Sequence, residues 1–306
     1  MKYTIVISKK YDAHFNQAVE AALLKRALCG EVILYLWAND NAVFIGKHQN
    51  AFLECDLDKL KQNGGVAARR ITGGGAVYHD KGNLNYSFIA PSIAYDEQKH
   101  FSVIVTALNG LGLDVELSGR NDMTLNGKKF SGNAFLRGKD VSLHHGTLLI
   151  KSDYEKIETY LTASKIKLKS KGVSSVASRV INLSEIKENL TKEAVIEAIN
   201  AAFVKIYGVF SEVLYSCEEG TVDADEFGKW YKKFSDESWQ LGDNVDFDVK
   251  TEHRFDWGIA DIRMRLEGDK IIEARIYSDA LDVDLVKEKE RVLAGKNISD
   301  AVEVLK

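Results

Sequence analysis

Apolar residues recur along this chain with two different periods, and the change from one to the other predicts its elements. Tyr3–Ser8 alternates apolar with polar and reads as a strand, and a helical stripe of Phe15, Val19, Ala22, Leu23 and Leu28 follows. Asp12 stands where that helix needs its N-cap. Strands are predicted at Val32–Trp37 and Ala42–Ile45 across an Asn39-Asp40-Asn41 turn, and a short helix at Asp56–Gln62. Asn63-Gly64-Gly65 ends that helix. Val66–Arg70 and Leu84–Ala90 read as strands and Glu97–Leu111 as a helix. Val115–Leu117, Asp122–Leu125 and Lys128–Phe130 continue the sheet, the last two flanking Asn126-Gly127, a strong two-residue hairpin signal. Val141–Ile150 adds a strand, Lys165–Ser178 lacks an apolar period and reads as an exposed loop, and Thr191–Tyr207 and Asp225–Phe234 read as helices.

Beyond Gly242 the pattern becomes a three-stranded meander, Phe247–Lys250, Ile259–Leu266 and Lys270–Tyr277, followed by helices at Val283–Ala294 and Ser299–Leu305. A domain boundary is therefore expected there, with a larger domain over 1–242 and a small one over 243–306. Runs of strands interrupted by helices, rather than regular strand–helix alternation, predict an α+β fold. Its larger domain would hold a mixed, mostly antiparallel sheet with flanking helices.

Composition narrows the function classes. The 306 residues are 45% apolar and 28% charged, ordinary globular values. A net charge of −4 offers no basic surplus for nucleic acid. Cys29, Cys55 and Cys217 are scattered and odd in number, which argues for a reducing compartment and against a disulfide framework or a zinc site. The first residues lack a signal-peptide pattern and no apolar run is long enough to span a membrane, so a cytoplasmic protein is expected. Pro91 is the single proline, so turns fall to glycine, asparagine and aspartate.

Two stretches carry candidate chemistry. In Arg69-Arg70-Ile71-Thr72-Gly73-Gly74-Gly75-Ala76-Val77-Tyr78-His79-Asp80, two cations lead into three glycines. Unblocked N–H groups in such a turn form a concave anion site, and arginine adds bidentate donors. The loop reads as a binder of phosphate, carboxylate or both; it lacks the spacing of a dinucleotide fingerprint or a P-loop. The second stretch is Gly119-Arg120-Asn121-Asp122, with Gly127-Lys128-Lys129-Phe130-Ser131-Gly132-Asn133-Ala134 across the hairpin. Strand alternation predicts Lys129 and Ser131 on one face and Lys128 and Phe130 on the other. Hairpin lysines are ordinarily solvated; the Asn121-Asp122 and Ser131-Gly132-Asn133 flanks mark this pair out.

Together with Gly82-Asn83-Leu84-Asn85-Tyr86-Ser87, His144-His145-Gly146-Thr147-Leu148-Leu149, Ser174–Leu183 and Arg254-Phe255-Asp256-Trp257-Gly258, these blocks resemble lipoate–protein ligases in content and order. The resemblance spans essentially the whole chain. It implies an enzyme that activates free lipoate with ATP and Mg²⁺ to lipoyl-adenylate, releasing pyrophosphate. The lipoyl group then passes to a lysine of a lipoyl domain, on 2-oxoacid dehydrogenase E2 subunits or on the glycine-cleavage H protein. By the same resemblance, Lys129 bridges the lipoyl carboxylate and α-phosphate, while Arg70 and the N–H groups of Gly73, Gly74 and Gly75 hold the acyl-phosphate region. Thr72, Val77, Tyr78, Asn83, Asn85, Asn121, Ser131, Gly132, Ala134, His145 and Gly146 surround lipoate and adenylate, with Val77 and Tyr78 against the acyl chain and His144 structural. Asp122 orients Lys129 or touches the metal, and Lys165–Ser184, with Ser175, Val176 and Arg179, covers the adenylate. A monomer with no nucleic-acid or membrane partner is expected. Two alternatives remain at this point: a lipoyl or octanoyl transferase of the same fold that needs no ATP, and a non-catalytic lipoyl-domain binder. Transferases of that kind use a cysteine, and no cysteine here lies in a motif block.

Overall fold

The computed structural model describes residues 1–119, 121–162, 179–208, 212–216, 220–242 and 246–306. The predicted Lys165–Ser178 loop, with Ser175 and Val176, lies outside the described residues, as does Cys217.

The strands are β1 Lys2–Ile7, β2 Glu31–Trp37, β3 Ala42–Ile45, β4 Val66–Arg69, β5 Val77–His79, β6 Asn83–Pro91, β7 Val115–Ser118, β8 Asp122–Leu125, β9 Lys128–Arg137, β10 Val141–Leu149, β11 Glu212–Tyr215, β12 Val249–Phe255, β13 Gly258–Glu267 and β14 Lys270–Ser278. They form an eight-stranded sheet in the order β11-β1-β2-β6-β10-β9-β8-β7 and two three-stranded sheets, β4-β3-β5 and β12-β13-β14. Within the large sheet β1 runs parallel to β2 and β11, and the other pairings are antiparallel. The α+β expectation holds. The small β4-β3-β5 sheet and the parallel edge strand β11 are additions that local pattern did not predict.

Alternation along β2 explains the layering. Val32, Leu34 and Leu36 enter one core with Phe88, Ile104 and Phe203, under the helices Glu97–Gly110 and Lys192–Tyr207. Ile33, Tyr35 and Trp37 enter a second core on the opposite face, with Val19 and Leu23 of the helix Ala13–Leu28. A strand buried on both faces reads as a continuous apolar run, as β2 does. Side-chain caps fix the helix starts: Asp12 accepts from the Phe15 N–H, as the sequence predicts, and Thr191 from the Ala194 N–H. At the predicted hairpin Asn126 (φ +52°) and Gly127 (φ +73°) both take left-handed backbone, which joins β8 to β9 in two residues.

The sheet β4-β3-β5 lies over the second core. Ala42 and Phe44 face that core, while Val43, Ile45 and Tyr78 face a separate cluster with Tyr160. A third, self-contained core of Ile262, Met264, Ile276, Val286 and Leu305 belongs to the C-terminal meander and its helices. The first meander strand is Val249–Phe255, shifted from the predicted 247–250. Short helices at Ala51–Glu54, Tyr154–Tyr160 and Glu237–Leu241 were absent from the sequence reading, because one or two turns show too little period. No described helix is long and apolar enough to cross a membrane.

Candidate active site

The space between the large sheet and β4-β3-β5 is a cavity of about 150 Å³. Its apolar walls come from Trp37 at the end of β2, Phe44 of β3, Ala76 and Val77, and Ala134 of β9. Gly74, Gly75, Arg70, Asn121, Lys129, Gly132, His145 and Gly146 also line it. Two of the three glycines, Gly74 and Gly75, and the hairpin lysine, 54 positions beyond Gly75 at Lys129, therefore share one pocket.

Lys129 reaches that pocket through a departure from strand alternation. Met123 pairs with Ser131 but Thr124 pairs with Lys129, so Phe130 is an extra residue on β9. Its ring is fully buried in the main core. The bulge turns Lys129 onto the face of Gly132 and Ala134. A Cβ built on Gly132 would stand 3.0 Å from Lys129 Nζ. The predicted pairing of Lys129 with Ser131 on one face is thus corrected. Ser131 is buried on the side of Tyr86 and Asn133 and lines no part of the cavity. Lys129 Nζ lies 2.7 Å from Asp122 Oδ1, with both side chains more than a third exposed.

The glycine loop is built differently from its sequence reading. Gly74 needs its left-handed φ of +91°. Arg70 is buried and donates into the loop itself: Nε to Gly73 O and Thr72 Oγ1, Nη2 to Gly73 O and Gly75 O, and Nη1 to Phe44 O. Its guanidinium braces the turn from inside, leaving its charge in the pocket wall. Burial lowers its pKa to about 10, so it stays charged at neutral pH. The Gly74 N–H donates to Ala280 O of the C-terminal unit at 3.0 Å, and a side chain on Gly73 would strike the carbonyls of Ala280 and Leu281. Of the three expected N–H donors, Gly74's is thus taken by the C-terminal unit. Gly73 faces that unit rather than the cavity. Arg69 is a staple, donating to the carbonyls of Gly46, Lys47, Gln49, Trp239, Gln240 and Leu241.

Behind the cavity runs a buried polar relay. Trp37 Nε1 donates to Ser87 Oγ (2.9 Å), and Ser87 donates to Glu20 Oε1 (2.5 Å). His145 Nδ1 also donates to Glu20 (2.9 Å), which leaves its Nε2 to accept from Thr72 Oγ1 (2.8 Å). Thr72 accepts in turn from Arg70, so this residue holds the wall in shape without lining it. His144 points to the opposite core and meets Asn133 Oδ1 at 2.9 Å, as the alternation of faces predicts. Asn133 Oδ1 also accepts from Tyr86 Oη.

Tyr78 is a second correction. Strand β5 is read with period two, so Val77 and His79 face the cavity and Tyr78 faces away, packing 5.4 Å from Tyr160 and donating to Asn41. Asn83 also falls outside the cavity, donating to Asn85 Oδ1, and it is Asn85 that lines the wall. Arg179 contributes its carbonyl, which accepts from the Lys129 N–H at 3.0 Å. Sequence reasoning missed Glu20, Trp37, Phe44, Ala76, Asn133 and Thr147. For Glu20 a signal existed: a carboxylate among Ala18, Val19, Ala21, Ala22 and Leu23 has no place on an apolar face unless it is paired.

Gly146 offers a direct test of this packing. A Cβ there would lie 2.3 Å from Asn133 Oδ1 and 2.4 Å from the buried Tyr86 Oη. Gly146→Ala is expected to cost about 1–3 kcal/mol in urea unfolding, by overpacking. An unchanged midpoint would show that Tyr86 has room to move.

The lipoyl protein ligase A/B catalytic domain family matches residues 12–204, and the bacterial lipoate protein ligase C-terminus family matches residues 244–303. A lipoate-protein ligase A of Psychrobacter cryohalolentis is 38% identical over 299 residues, 96% of this chain and 88% of that protein. Among solved structures, P. falciparum LipL1 in complex with lipoate is 31% identical at TM-score 0.83, over 99% of this chain and 93% of that one. A bipartite lipoate protein ligase from Thermoplasma acidophilum, solved in a study of it and its E2 lipoyl domain, gives TM-score 0.70 at 28% identity, over 81% and 100%. A lipoate-protein ligase A bound with ATP gives 0.67 at 27%, over 79% and 99%. The chain thus belongs to the lipoate–protein ligase family and is an enzyme that joins lipoate to proteins.

Proposed function

We propose that this protein activates free lipoate with ATP and then lipoylates a lysine of lipoyl domains, on E2 subunits or the glycine-cleavage H protein. In the first step a lipoate carboxylate oxygen bonds to the α-phosphorus while the bond from that phosphorus to the bridging oxygen breaks, and pyrophosphate leaves. In the second, the acceptor ε-amine bonds to the acyl carbon, the acyl–oxygen bond breaks, AMP leaves and the amine gives up a proton. The observation that carries this reading is the meeting of Lys129 with Gly74 and Gly75 in one cavity whose remaining wall is apolar.

The first step brings two anions together. Unit charges 4 Å apart repel by about 4 kcal/mol at an effective dielectric near 20, so the site must supply fixed positive charge. Lys129 provides an ammonium and Arg70 a buried guanidinium. The aromatic and aliphatic walls of Trp37, Phe44 and Val77 suit a dithiolane and its alkyl chain. Among the described residues, Asp122 is the carboxylate paired with Lys129. That fits Mg²⁺ carried in on the polyphosphate, where a single protein carboxylate suffices and the ion neutralises the leaving charge. The similarity to lipoate-bound and ATP-bound ligases supports both substrates. The E2 lipoyl domain studied with the Thermoplasma ligase supports the acceptor class.

A thioester-forming transferase would need an activated cysteine. Of the cysteines among the described residues, Cys55 is buried beside Asp56 with its thiol pushed up to about 12, and Cys29 stands exposed outside the cavity. Both observations favour the ATP-dependent reading. Lipoate-dependent exchange of labelled pyrophosphate into ATP is the deciding measurement. Exchange is expected with ATP and lipoate together and absent when either is omitted. No exchange in the folded protein would sink the ligase reading, and ATP-independent transfer from an acyl carrier would replace it.

A further inference from the structure

We infer that Asn182 is a positioning residue for the adenylation step, holding Arg179–Ile181 as a strand fragment on the backbone of Lys129. The need for such a fragment follows from the sheet. Strand β9 pairs with β10 only from Asn133 to Arg137, so its hairpin end has no strand on that side. There the Gly132 N–H makes do with Thr147 Oγ1 at 3.3 Å. One step further along, the chain returns to fill the edge. The Lys129 N–H donates to Arg179 O (3.0 Å), the Ile181 N–H donates to Lys129 O (2.9 Å), and Val180 bridges Lys129 in parallel. Lys129 is thereby held between β8 and this fragment, directly beside the Phe130 bulge that aims its side chain.

What fixes the fragment is Asn182. Its Oδ1 accepts from the Ser152 N–H (2.8 Å) and its Nδ2 donates to Ser152 O (2.9 Å), a two-point clamp on the backbone just beyond β10. Only an amide offers a donor and an acceptor in that geometry. The Asn182 N–H in turn donates to Glu185 Oε1 (3.0 Å) and Tyr154 Oη, and Ile181 and Leu183 anchor the flanks in the core. Asn182 is buried and lines no part of the cavity, so its influence on chemistry passes through the Lys129 backbone.

This inference rests on the reading of Lys129 as the amine at the reacting centre, and its test separates the two. Asn182→Ala is expected to lower kcat of lipoate-dependent pyrophosphate exchange about tenfold to a hundredfold, the range a small misplacement of a reacting group costs, with KM for lipoate little changed. Peptides covering 128–131 should take up deuterium faster while those of β6 keep their protection. Asn182→Asp, which keeps the acceptor and loses the donor, should fall between wild type and alanine and covers the case in which alanine fails to fold. In the Lys129→Ala background Asn182→Ala should slow exchange no further. Unchanged protection at 128–131, unchanged kcat, or a fully additive loss would each overturn the inference. If Lys129→Ala retains activity while the deuterium result appears, the reading of Lys129 fails and the backbone clamp survives.

Discussion

Lys129→Ala is expected to reduce lipoate-dependent ATP–pyrophosphate exchange by about 10²–10³-fold, the usual loss when a fixed stabiliser of developing charge is removed. The fold should be untouched. In the structure the ammonium pairs with Asp122 across 2.7 Å, and the two side chains are 40% and 36% exposed. Exposed pairs of this kind contribute about 0–1 kcal/mol, so the melting temperature should move by no more than about 3 °C. The orphaned Asp122 carboxylate can turn to water. Lys128 supplies the control: its side chain is exposed and lines no part of the cavity, so Lys128→Ala should keep wild-type exchange. The reverse outcome, with Lys128 essential and Lys129 dispensable, would mean that the bulge points the wrong amine into the site.

That bulge marks where the sequence stopped being legible. Asn126-Gly127 announces the hairpin, since both residues tolerate left-handed backbone, and the pairing of β8 with β9 follows. Alternation then predicts Ser131 beside Lys129. The prediction fails because Phe130 buries its ring completely in the main core, and the strand takes on an extra residue to let it. Tyr78 fails for a related reason. Which face of its strand meets the cavity depends on β3, a long-range partner no local pattern encodes. The partners of Glu20, a buried support behind the cavity, were also invisible. Glu20 meets Ser87 across 67 positions and His145 across 125, and such meetings are set by tertiary packing alone. By contrast the hairpin turn at Asn126-Gly127, the close backbone approach at Gly73-Gly74 and the opposite faces of His144 and His145 were readable, because backbone approach and strand alternation are local properties.

A second large effect is expected when the pH falls. His79 and His100 are held at about 3 by burial, and His144 well below its ordinary value for the same reason. Nearby charges are secondary to burial: they lower the pKa further at His79 and His144 and act in both directions at His100. His100 shows the environment most clearly: its ring stacks 4.5 Å from that of Phe88, beside Tyr95 and His144, and neither nitrogen has a hydrogen-bond partner among the described residues. A histidine whose folded pKa lies below its unfolded value near 6.5 binds more protons unfolded than folded. Stability from keeping such a ring neutral is therefore complete above pH 6.5 and is lost progressively as the pH drops toward 3. His79 and His100 each account for about 2 kcal/mol of that loss at pH 5, and His144 adds to it in the same direction. Urea unfolding at pH 7 and pH 5 is expected to show the decline, and His100→Phe to lessen it by one ring's share. Any packing offset introduced by phenylalanine is common to both pH values and cancels in the difference. Identical declines in the variant and the wild type would mean that the His100 ring already titrates as freely in the folded protein as in the unfolded chain.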